Sequence, residues 1–380
     1  MRQYQFSKLT LKHLVFICLM VPLVLGCRKD NLEVLNKSII SLRWVKSYPD
    51  ETIDDAVTGL KWALSYIGAK YFDDQSIKII DNIIHVNISL LGFSAESIIQ
   101  LQLLNKKFKS TESFKHYQSI DLGRYITCLI GASEHYYAFV NQPENLNELT
   151  KQYTLSDKAG YVNKSSVSPK DRAIRFSSQF GLNQIFIAEE IDKVTGELLE
   201  YETINLMPNG QLRFGVYDTE GKLINSASPD VSNAGKPAKC LWCHESTLLP
   251  LFANQDNFPN FLPFISFRDS LTLFNKGLLN SQSGLSKGVD FSKKARHELT
   301  ELQYISFMEP SLERLVIEWQ MSEKEVLDRV NGLLSHQNHE FKFLGDLYDR
   351  NDIEELAPHK SLSVSSSVRE KSIIEVNHLN

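Results

Sequence analysis

The chain has 380 residues, a length that accommodates two or three ordinary domains and a sizeable core. Its formal net charge of −5 lacks the basic excess of nucleic-acid-binding proteins, so we expect no nucleic-acid partner. The chain has only five cysteines, which excludes a fold built on a disulfide framework.

The first 26 residues have the pattern of an export signal. Three basic residues and no acidic residue precede an apolar run from Leu14 to Leu25. The run is shorter than the roughly 20 residues that span a bilayer, as in secretory signals that are removed from the mature protein. We therefore exclude residues 1–26 from the fold and expect the protein to work outside the cytoplasm, in the periplasm or on the cell exterior.

The apolar run ends in the sequence VLGC, in which Gly26 precedes Cys27. This sequence resembles the lipobox of bacterial lipoproteins, and the resemblance implies cleavage before Cys27 and acylation of its thiol. The partner would then be a bacterial membrane, held through the lipid. Arg28 stands where some lipoproteins carry the Asp that retains them at the inner membrane, which favours the outer membrane or cell surface. The alternative is a plain signal peptide with a chance cysteine.

Residues 27–50 begin with a polar segment and are predicted to be a tether, followed by a helical region over residues 51–165. Apolar residues after Thr52 recur every three or four positions, which predicts a helix capped by Thr52. Ser94 is predicted to cap a second helix. A third helix passes through Cys128 in an apolar stripe, where we expect a buried, inert thiol.

Residues 166–292 are predicted to contain an antiparallel β meander and the segment that carries the chemistry. Short runs rich in β-branched and aromatic residues lie between Arg172 and Ile224, separated by glycine-containing turns such as MPNGQ and DTEGK. This pattern predicts four or five antiparallel strands. A loop then leads into AKCLWCHES, and three prolines between positions 250 and 263 exclude one continuous helix after it.

The C-terminal part of the chain is predicted to be helical over residues 293–358. Pro310 is placed in the first turn of one helix, and Ser322 with Glu325 predicts a capping box for the next. The serine-rich end, residues 359–380, is predicted to be loose. Together these patterns predict an α+β fold with an N-terminal helical region, a central antiparallel β meander leading into the attachment loop, and C-terminal helices.

Cys240, Cys243 and His244 form the pattern C-x-x-C-H. In c-type haem attachment each thiol adds across a haem vinyl group, and the imidazole of the next residue becomes an axial ligand of the iron. The motif resembles the attachment site of mono-haem c-type cytochromes. That resemblance implies covalently attached haem c, with Cys240 and Cys243 as the thioethers and His244 as the axial iron ligand. Export agrees with this reading, since the attachment occurs outside the cytoplasm.

Other sites could use the same motif. A structural zinc needs four ligands, and the chain has no second C-x-x-C pair. A thioredoxin-like dithiol lies between a strand and a helix in a βαβ unit, whereas this motif follows a predicted antiparallel meander. A further alternative is a surface lipoprotein without haem, with a binding or structural role and a disulfide between Cys240 and Cys243.

A distal ligand on the other side of the iron would decide the role of the haem. Met308 lies downstream of the motif beside a helix break, and we predict it as the distal ligand, with His297 as the next candidate. A six-coordinate haem of this kind would pass single electrons to an unknown redox partner protein. A five-coordinate haem would instead bind or transform a small molecule such as nitric oxide, hydroxylamine or peroxide.

Residues 172–246 are similar to the cytochrome P460 family, whose haem rests against an antiparallel sheet. The stretch GVYDTEGKL resembles the late strand and turn of that family. The resemblance implies a sheet beside the haem in this segment and assigns no activity. Helical sequence before the segment and a long stretch after His244 depart from the family.

The chain shows no other catalytic signature, since motifs of metalloproteases, α/β-hydrolases and nucleotide-binding proteins are missing from the sequence. Glu189 and Glu190 are adjacent on a predicted strand and therefore point to opposite faces, so they do not form a carboxylate pair. Whether the protein is an enzyme stays open at this point.

Overall fold

The structure, a computed structural model, describes residues 38–177, 181–248, 250, 252–368 and 374–380. The predicted export signal, the predicted lipidation site Cys27 and the first part of the tether lie outside the described residues. Among the residues described, no helix combines the length and apolar character needed to cross a membrane.

The fold is α+β, as predicted from the sequence. The helices of the described residues are α1 (Ile53–Tyr66), α2 (Ala95–Ser110), α3 (Glu112–Tyr117), α4 (Leu122–Ile126), α5 (Ser133–Val140), α6 (Leu146–Thr150), α7 (Pro237–His244), α8 (Phe264–Ser283), α9 (Glu298–Met308), α10 (Leu312–Trp319), α11 (Glu323–Val330) and α12 (Arg350–Ile353). The strands are β1 (Ile39–Arg43), β2 (Ile77–Ile80), β3 (Ile83–Asn87), β4 (Ile120–Asp121), β5 (Gly160–Val162), β6 (Asp171–Phe176), β7 (Ile185–Ile191), β8 (Leu198–Leu206), β9 (Leu212–Tyr217), β10 (Leu223–Ile224), β11 (His336–Gln337) and β12 (Asp346–Leu347).

The central meander is a sheet of six strands in the order β10-β9-β8-β7-β6-β5, and every neighbouring pair is antiparallel. The predicted runs between Arg172 and Ile224 correspond to β6 to β10. Strand β5 was not predicted, because its three residues are too few to show an alternating pattern. The alternating pattern of the sequence therefore predicted the strands of the meander except for one short strand at its edge.

The N-terminal region contains a small mixed sheet in addition to helices, with strand order β2-β3-β1-β4. Strand β1 lies within residues 27–50, the segment predicted to be a tether. Ile40 and Leu42 of this strand are fully buried. Such a short strand is stabilised by its distant partners β3 and β4, which local sequence does not reveal.

Helix caps agree closely with the sequence predictions. Thr52 forms a capping box with Asp55 at the start of α1, and Ser94 accepts a hydrogen bond from the backbone N–H of Ser97 at the start of α2. Ser322 and Glu325 form the predicted box before α11. Pro310 differs from its prediction: it precedes the capping residue of α10 and lies outside the first turn.

The predicted third helix is divided into α4, a π-helical turn over Thr127–Gly131, and α5. The chain is extended at Ala132, where φ is −101° and ψ is 122°. Cys128 lies in the π-helical turn, is buried as predicted, and burial raises the pKa of its thiol to about 12. Its role is therefore in the core and not in the chemistry of the site.

Helix α9 joins the N-terminal and C-terminal parts by packing against α1 and α4. The approach is close because Gly59 of α1 has no Cβ, and a methyl group there would lie 2.5 Å from the side chain of Gln303. Thr300 donates a hydrogen bond to the Gly59 carbonyl at 2.7 Å. One continuous hydrophobic core therefore includes residues of β1, β9, α7 and α9.

The segment after the motif becomes regular at α8, which begins directly after Pro263. As predicted, no continuous helix runs through the three prolines, since the described residues between Pro250 and Pro263 are not helical. The twenty-residue helix that follows was not predicted. The C-terminal end also differs from the prediction of a loose tail, because Glu375 pairs with the buried Lys236 at 2.7 Å. The backbone N–H of His378 donates to Nε2 of the buried His135 at 2.8 Å.

Three buried arginines and three acidic residues form an ion-pair network around the ring of Phe307. Its members are Arg124, Arg314, Arg350, Asp121, Glu318 and Glu354. Arg350 contacts Glu318 at 2.8 Å, and its guanidinium carbon lies 3.9 Å from the centroid of Phe307. Since buried charges are stable only when paired, the network determines how α10 and α12 pack on α4.

Glu318 should carry much of the acid sensitivity of the fold. Burial opposes its charge, but Arg350, Arg314 and Arg124 outweigh that effect and hold its pKa at about 2. The stabilisation is therefore present above the ordinary glutamate pKa of about 4.3 and lost as the pH falls toward 2. We expect Glu318→Gln to lower the free energy of unfolding near neutral pH by about 3 kcal/mol, measured by urea denaturation.

The same variant should lose less stability than the parent protein between about pH 5 and pH 2, because the titrating group has been removed. Glu323→Gln, at an exposed position on α11, is the matched control and should change stability by less than about 0.5 kcal/mol. Equal effects of the two substitutions would contradict the role given to Glu318.

Candidate functional site

A cavity of about 310 Å³ lies between α7 and one face of the six-stranded sheet. Strands β6 to β9 form its floor, and Phe267 and Leu271 of α8 close one side. The strand register places Phe186, Ile204 and Phe214 in one cross-strand row beneath it. The walls are mostly apolar, and the volume falls within the roughly 300–1,000 Å³ of pockets that hold small molecules and cofactors.

All three residues of the motif line this cavity. The sequence predicts a loop here, and the structure instead has α7, with Pro237 at its first position. Positions 240, 243 and 244 are related by helical steps of three and four, so their side chains share one face. The helix thus explains why Cys240, Cys243 and His244 point together toward the sheet.

His244 is the last residue of α7, and the chain turns sharply after it. Glu245 and Ser246 both have left-handed φ angles, 48° and 57°. The imidazole packs 5.5 Å from the ring of Phe214, and its buried Nδ1 has no hydrogen-bond partner among the described residues. Burial lowers the pKa of His244 to about 4, with a backbone contact to Thr247 acting in the opposite direction. The imidazole is therefore neutral near neutral pH, the form that coordinates a metal.

The opposite face of α7 is anchored in the core. Ala238 and Leu241 are buried, and the indole of Trp242 packs 5.0 Å from the ring of Tyr304 on α9. Lys236, which occupies the N-cap position of α7, is buried and ion-paired with Glu375. These contacts explain how a short helix holds its cavity-facing side chains in position.

The turn after His244 is held by two buried glutamines. Ser246 donates its hydroxyl to Oε1 of Gln211 at 2.7 Å, and Nε2 of Gln282 donates to the carbonyl of Ser246 at 2.9 Å. Gln282 comes from α8 and also donates to the carbonyl of Gly210 in the turn before β9. The position of His244 is therefore tied to both the sheet and α8.

The two thiols of the motif have different surroundings. Cys243 is exposed, whereas Cys240 is partly exposed and is otherwise enclosed by the walls of the cavity. Burial, with a contribution from the Glu202 carboxylate, raises the pKa of the Cys240 thiol above its usual range. In the structure the two thiols are not joined to each other.

The predicted distal ligands do not lie with the motif. Met308 is the last residue of α9, is 3% exposed, and belongs to the hydrophobic core, outside the residues that line the cavity. His297 is buried next to the indole of Trp62, at a ring distance of 6.4 Å, and does not line the cavity either. The structure therefore does not bring Met308 or His297 together with His244.

One end of the cavity is charged, which the sequence analysis missed. Arg172 of β6 and Glu202 of β8 line the cavity, and Glu190 and Glu200 lie on the same face of the sheet. Glu190 is fully buried, whereas Glu189 points to the other face and pairs with Arg175, as the alternation along the strand predicts. The signal available in the sequence was the spacing of Glu200 and Glu202, which share a face of one strand.

Comparisons with known proteins give no match. No family model matches the chain, and no curated protein or solved structure matches it. The resemblances to lipoproteins, c-type cytochromes and the cytochrome P460 family therefore depend on the quoted motifs, and the site is interpreted from its own residues.

In protein whose thiols are free, the three cysteines of the described residues, Cys128, Cys240 and Cys243, should react with iodoacetamide in a fixed order. Cys243 should react first because it is exposed, Cys240 more slowly, and Cys128 only on unfolding, since burial raises its pKa and blocks access. Mass spectrometry of labelled peptides over time measures this order. Cys243→Ser should remove the fast phase alone, and rapid labelling of Cys128 in the folded protein would contradict the structure.

Proposed function

We propose that this protein binds haem c covalently through Cys240 and Cys243, with His244 as the axial iron ligand. The observation that carries the proposal is that all three residues of the C-x-x-C-H motif lie on one face of α7 and line a single, mostly apolar cavity. The site fits the group in its apolar walls, its neutral imidazole and its two adjacent thiols. When bound, haem supplies single-electron exchange and an iron atom that binds small ligands.

The cavity favours an open sixth coordination position. Among the described residues that line it, there is no methionine and no histidine besides His244. The row of the sheet wall formed by Phe186, Ile204 and Phe214 carries no iron ligand, and Glu202 lies at the charged end of the cavity. We therefore favour a haem protein that binds or transforms a small molecule such as nitric oxide, hydroxylamine or peroxide.

Electron transfer is the second candidate function, and the exposure of Cys243 favours it. A thioether at this position would bring one edge of the haem to the protein surface, where a redox partner protein could exchange single electrons with it. The two roles are compatible, since an open sixth position does not prevent electron exchange.

The location of the protein is a separate proposal that depends on the leader alone. The basic segment, the short apolar run and the sequence VLGC favour export and lipid attachment through Cys27, at the outer membrane or cell surface. The described fold begins at Ser38, so the residues between Cys27 and this position would connect the lipid to the folded part.

Covalent haem is tested by producing the full chain in a host with cytochrome c maturation machinery and denaturing it. We expect the Soret absorption to remain with the polypeptide after denaturation and gel filtration. The double variant Cys240→Ala, Cys243→Ala should lose it, because both thioether positions are gone. Cys128→Ala is the matched control and should keep it, and absence of polypeptide-bound haem in the parent protein would refute the proposal.

The coordination state is tested by adding carbon monoxide to the dithionite-reduced protein. An open sixth position predicts a prompt shift of the Soret band, and Met308→Leu should leave the spectra unchanged because Met308 lies in the core. His297→Gln should likewise have no effect. A spectrum that ignores carbon monoxide in the parent protein and responds to it in Met308→Leu would establish Met308 as the distal ligand and favour the electron carrier.

A further inference from the structure

A cluster of four charged side chains adjoins the candidate haem cavity. Arg172, Glu190, Glu200 and Glu202 come from three neighbouring strands, β6, β7 and β8. The register pairs Arg172 with Glu190 and Glu190 with Glu200, so these residues share one face of the sheet. Glu202 follows two positions later on β8, on the same face, and lines the cavity together with Arg172.

Arg172 joins two members of this carboxylate cluster, and Glu200 lies opposite Glu190 in the strand register. Arg172 forms an ion pair with Glu190 through Nε, and its Nη2 lies 3.4 Å from Oε2 of Glu202. Ser168 donates its hydroxyl to Oε2 of Glu190 at 2.8 Å, and the backbone N–H of Ser228 donates to Oε2 of Glu200 at 3.0 Å. The second oxygens of Glu200 and Glu202 are buried and have no hydrogen-bond partner among the described residues.

The charges of the cluster do not balance when all its carboxyl groups are ionised. Three carboxylates face one guanidinium, and Glu190 and Glu200 are 0% and 3% exposed. Burial and the neighbouring Glu202 raise the pKa of Glu190, and burial raises the pKa of Glu200 to about 7. Buried carboxyl groups this close to one another raise each other's affinity for a proton, and they titrate as a coupled group and not one by one.

Few other charges face the cluster. Across the cavity, α7 contributes Lys239, Cys240, Cys243 and His244, and the Lys239 ammonium donates to the carbonyl of Asn233 at 2.6 Å. Lys170, which precedes β6, is paired with Asp192 at 3.0 Å. Among the described residues, Arg172 is therefore the cation that contacts the cluster, through ion pairs with Glu190 and Glu202.

An electron added beside these carboxyl groups changes their affinity for protons. Reduction of an iron in the cavity removes one positive charge, which disfavours the ionised carboxylates in a poorly solvated site. Proton uptake then restores the local charge. Because Glu202 and Arg172 form part of the cavity wall, the cluster is close enough to respond to the charge of whatever occupies the cavity.

We propose that the carboxylate cluster takes up one proton from solvent when the haem gains one electron, and releases that proton on oxidation. The electron comes from an external one-electron donor, the iron passes from the ferric to the ferrous state, and one carboxylate becomes a carboxylic acid. The inference rests on the proposed haem site and goes beyond it by assigning a proton-coupled function to residues outside the motif.

The test is the midpoint potential of the haem-loaded full chain as a function of pH between about 6 and 8, which brackets the raised pKa of Glu200, about 7. A potential that falls by up to about 59 mV per pH unit is expected, the value for one proton taken up with one electron. The double variant Glu190→Gln, Glu200→Gln should flatten this slope, since amides do not bind the proton. Glu189→Gln, the neighbouring residue on the opposite face, should keep the slope of the parent protein.

A slope that is flat in the parent protein, or that persists in the double variant, would overturn the proposal. If the double variant does not fold, redox-induced infrared difference spectra of the parent protein replace it. A carboxylic acid band that appears on reduction and shifts in deuterium oxide supports the proposal, and its absence overturns it. Protein without covalent haem would refute the proposed function itself, whereas covalent haem with a flat potential refutes this inference alone.

Discussion

The attachment of α7 to the core is the interaction on which the candidate site depends. Only one face of this short helix meets the cavity, and the other face is buried through Ala238, Leu241 and Trp242. Trp242 packs on Tyr304, which in turn accepts a hydrogen bond from the backbone N–H of Val368 at 3.0 Å. Three distant parts of the sequence therefore determine how far the motif lies from the sheet.

The buried ion-pair network stabilises α9, the helix on which α7 packs. Phe307, three residues after Tyr304 on α9, lies against the guanidinium groups of Arg124, Arg314 and Arg350. Desolvation makes such a network expensive, and its members are stable only while every charge is paired. The ion pairs offset that cost, and the contacts of the guanidinium groups with Phe307 attach α9, whose Tyr304 packs against α7, to α4, α10 and α12.

The cavity itself combines two environments that have different chemical consequences. Beneath the motif, Phe186, Ile204 and Phe214 provide an apolar floor that carries no metal-ligating side chain. At the other end, Arg172 and Glu202 line the cavity beside the buried carboxyl groups of Glu190 and Glu200. A site with both features suits chemistry in which electrons and protons move together.

The local sequence was sufficient to identify the C-x-x-C-H motif. It was also sufficient to predict the helix caps at Thr52, Ser94 and Ser322 and most strands of the meander. Each depends on contacts within a few residues or on strict alternation, which composition and spacing record directly. Tertiary structure alone decided that Met308 lies in the core, that β1 is a strand and that the end of the chain is packed. It also brought Glu190 beside Glu200, because strand register depends on the packing of whole faces and not on neighbours in sequence. The sequence by itself thus determined the spacing of Cys240, Cys243 and His244, because that spacing is local, and only the folded chain decided which distant side chains surround them.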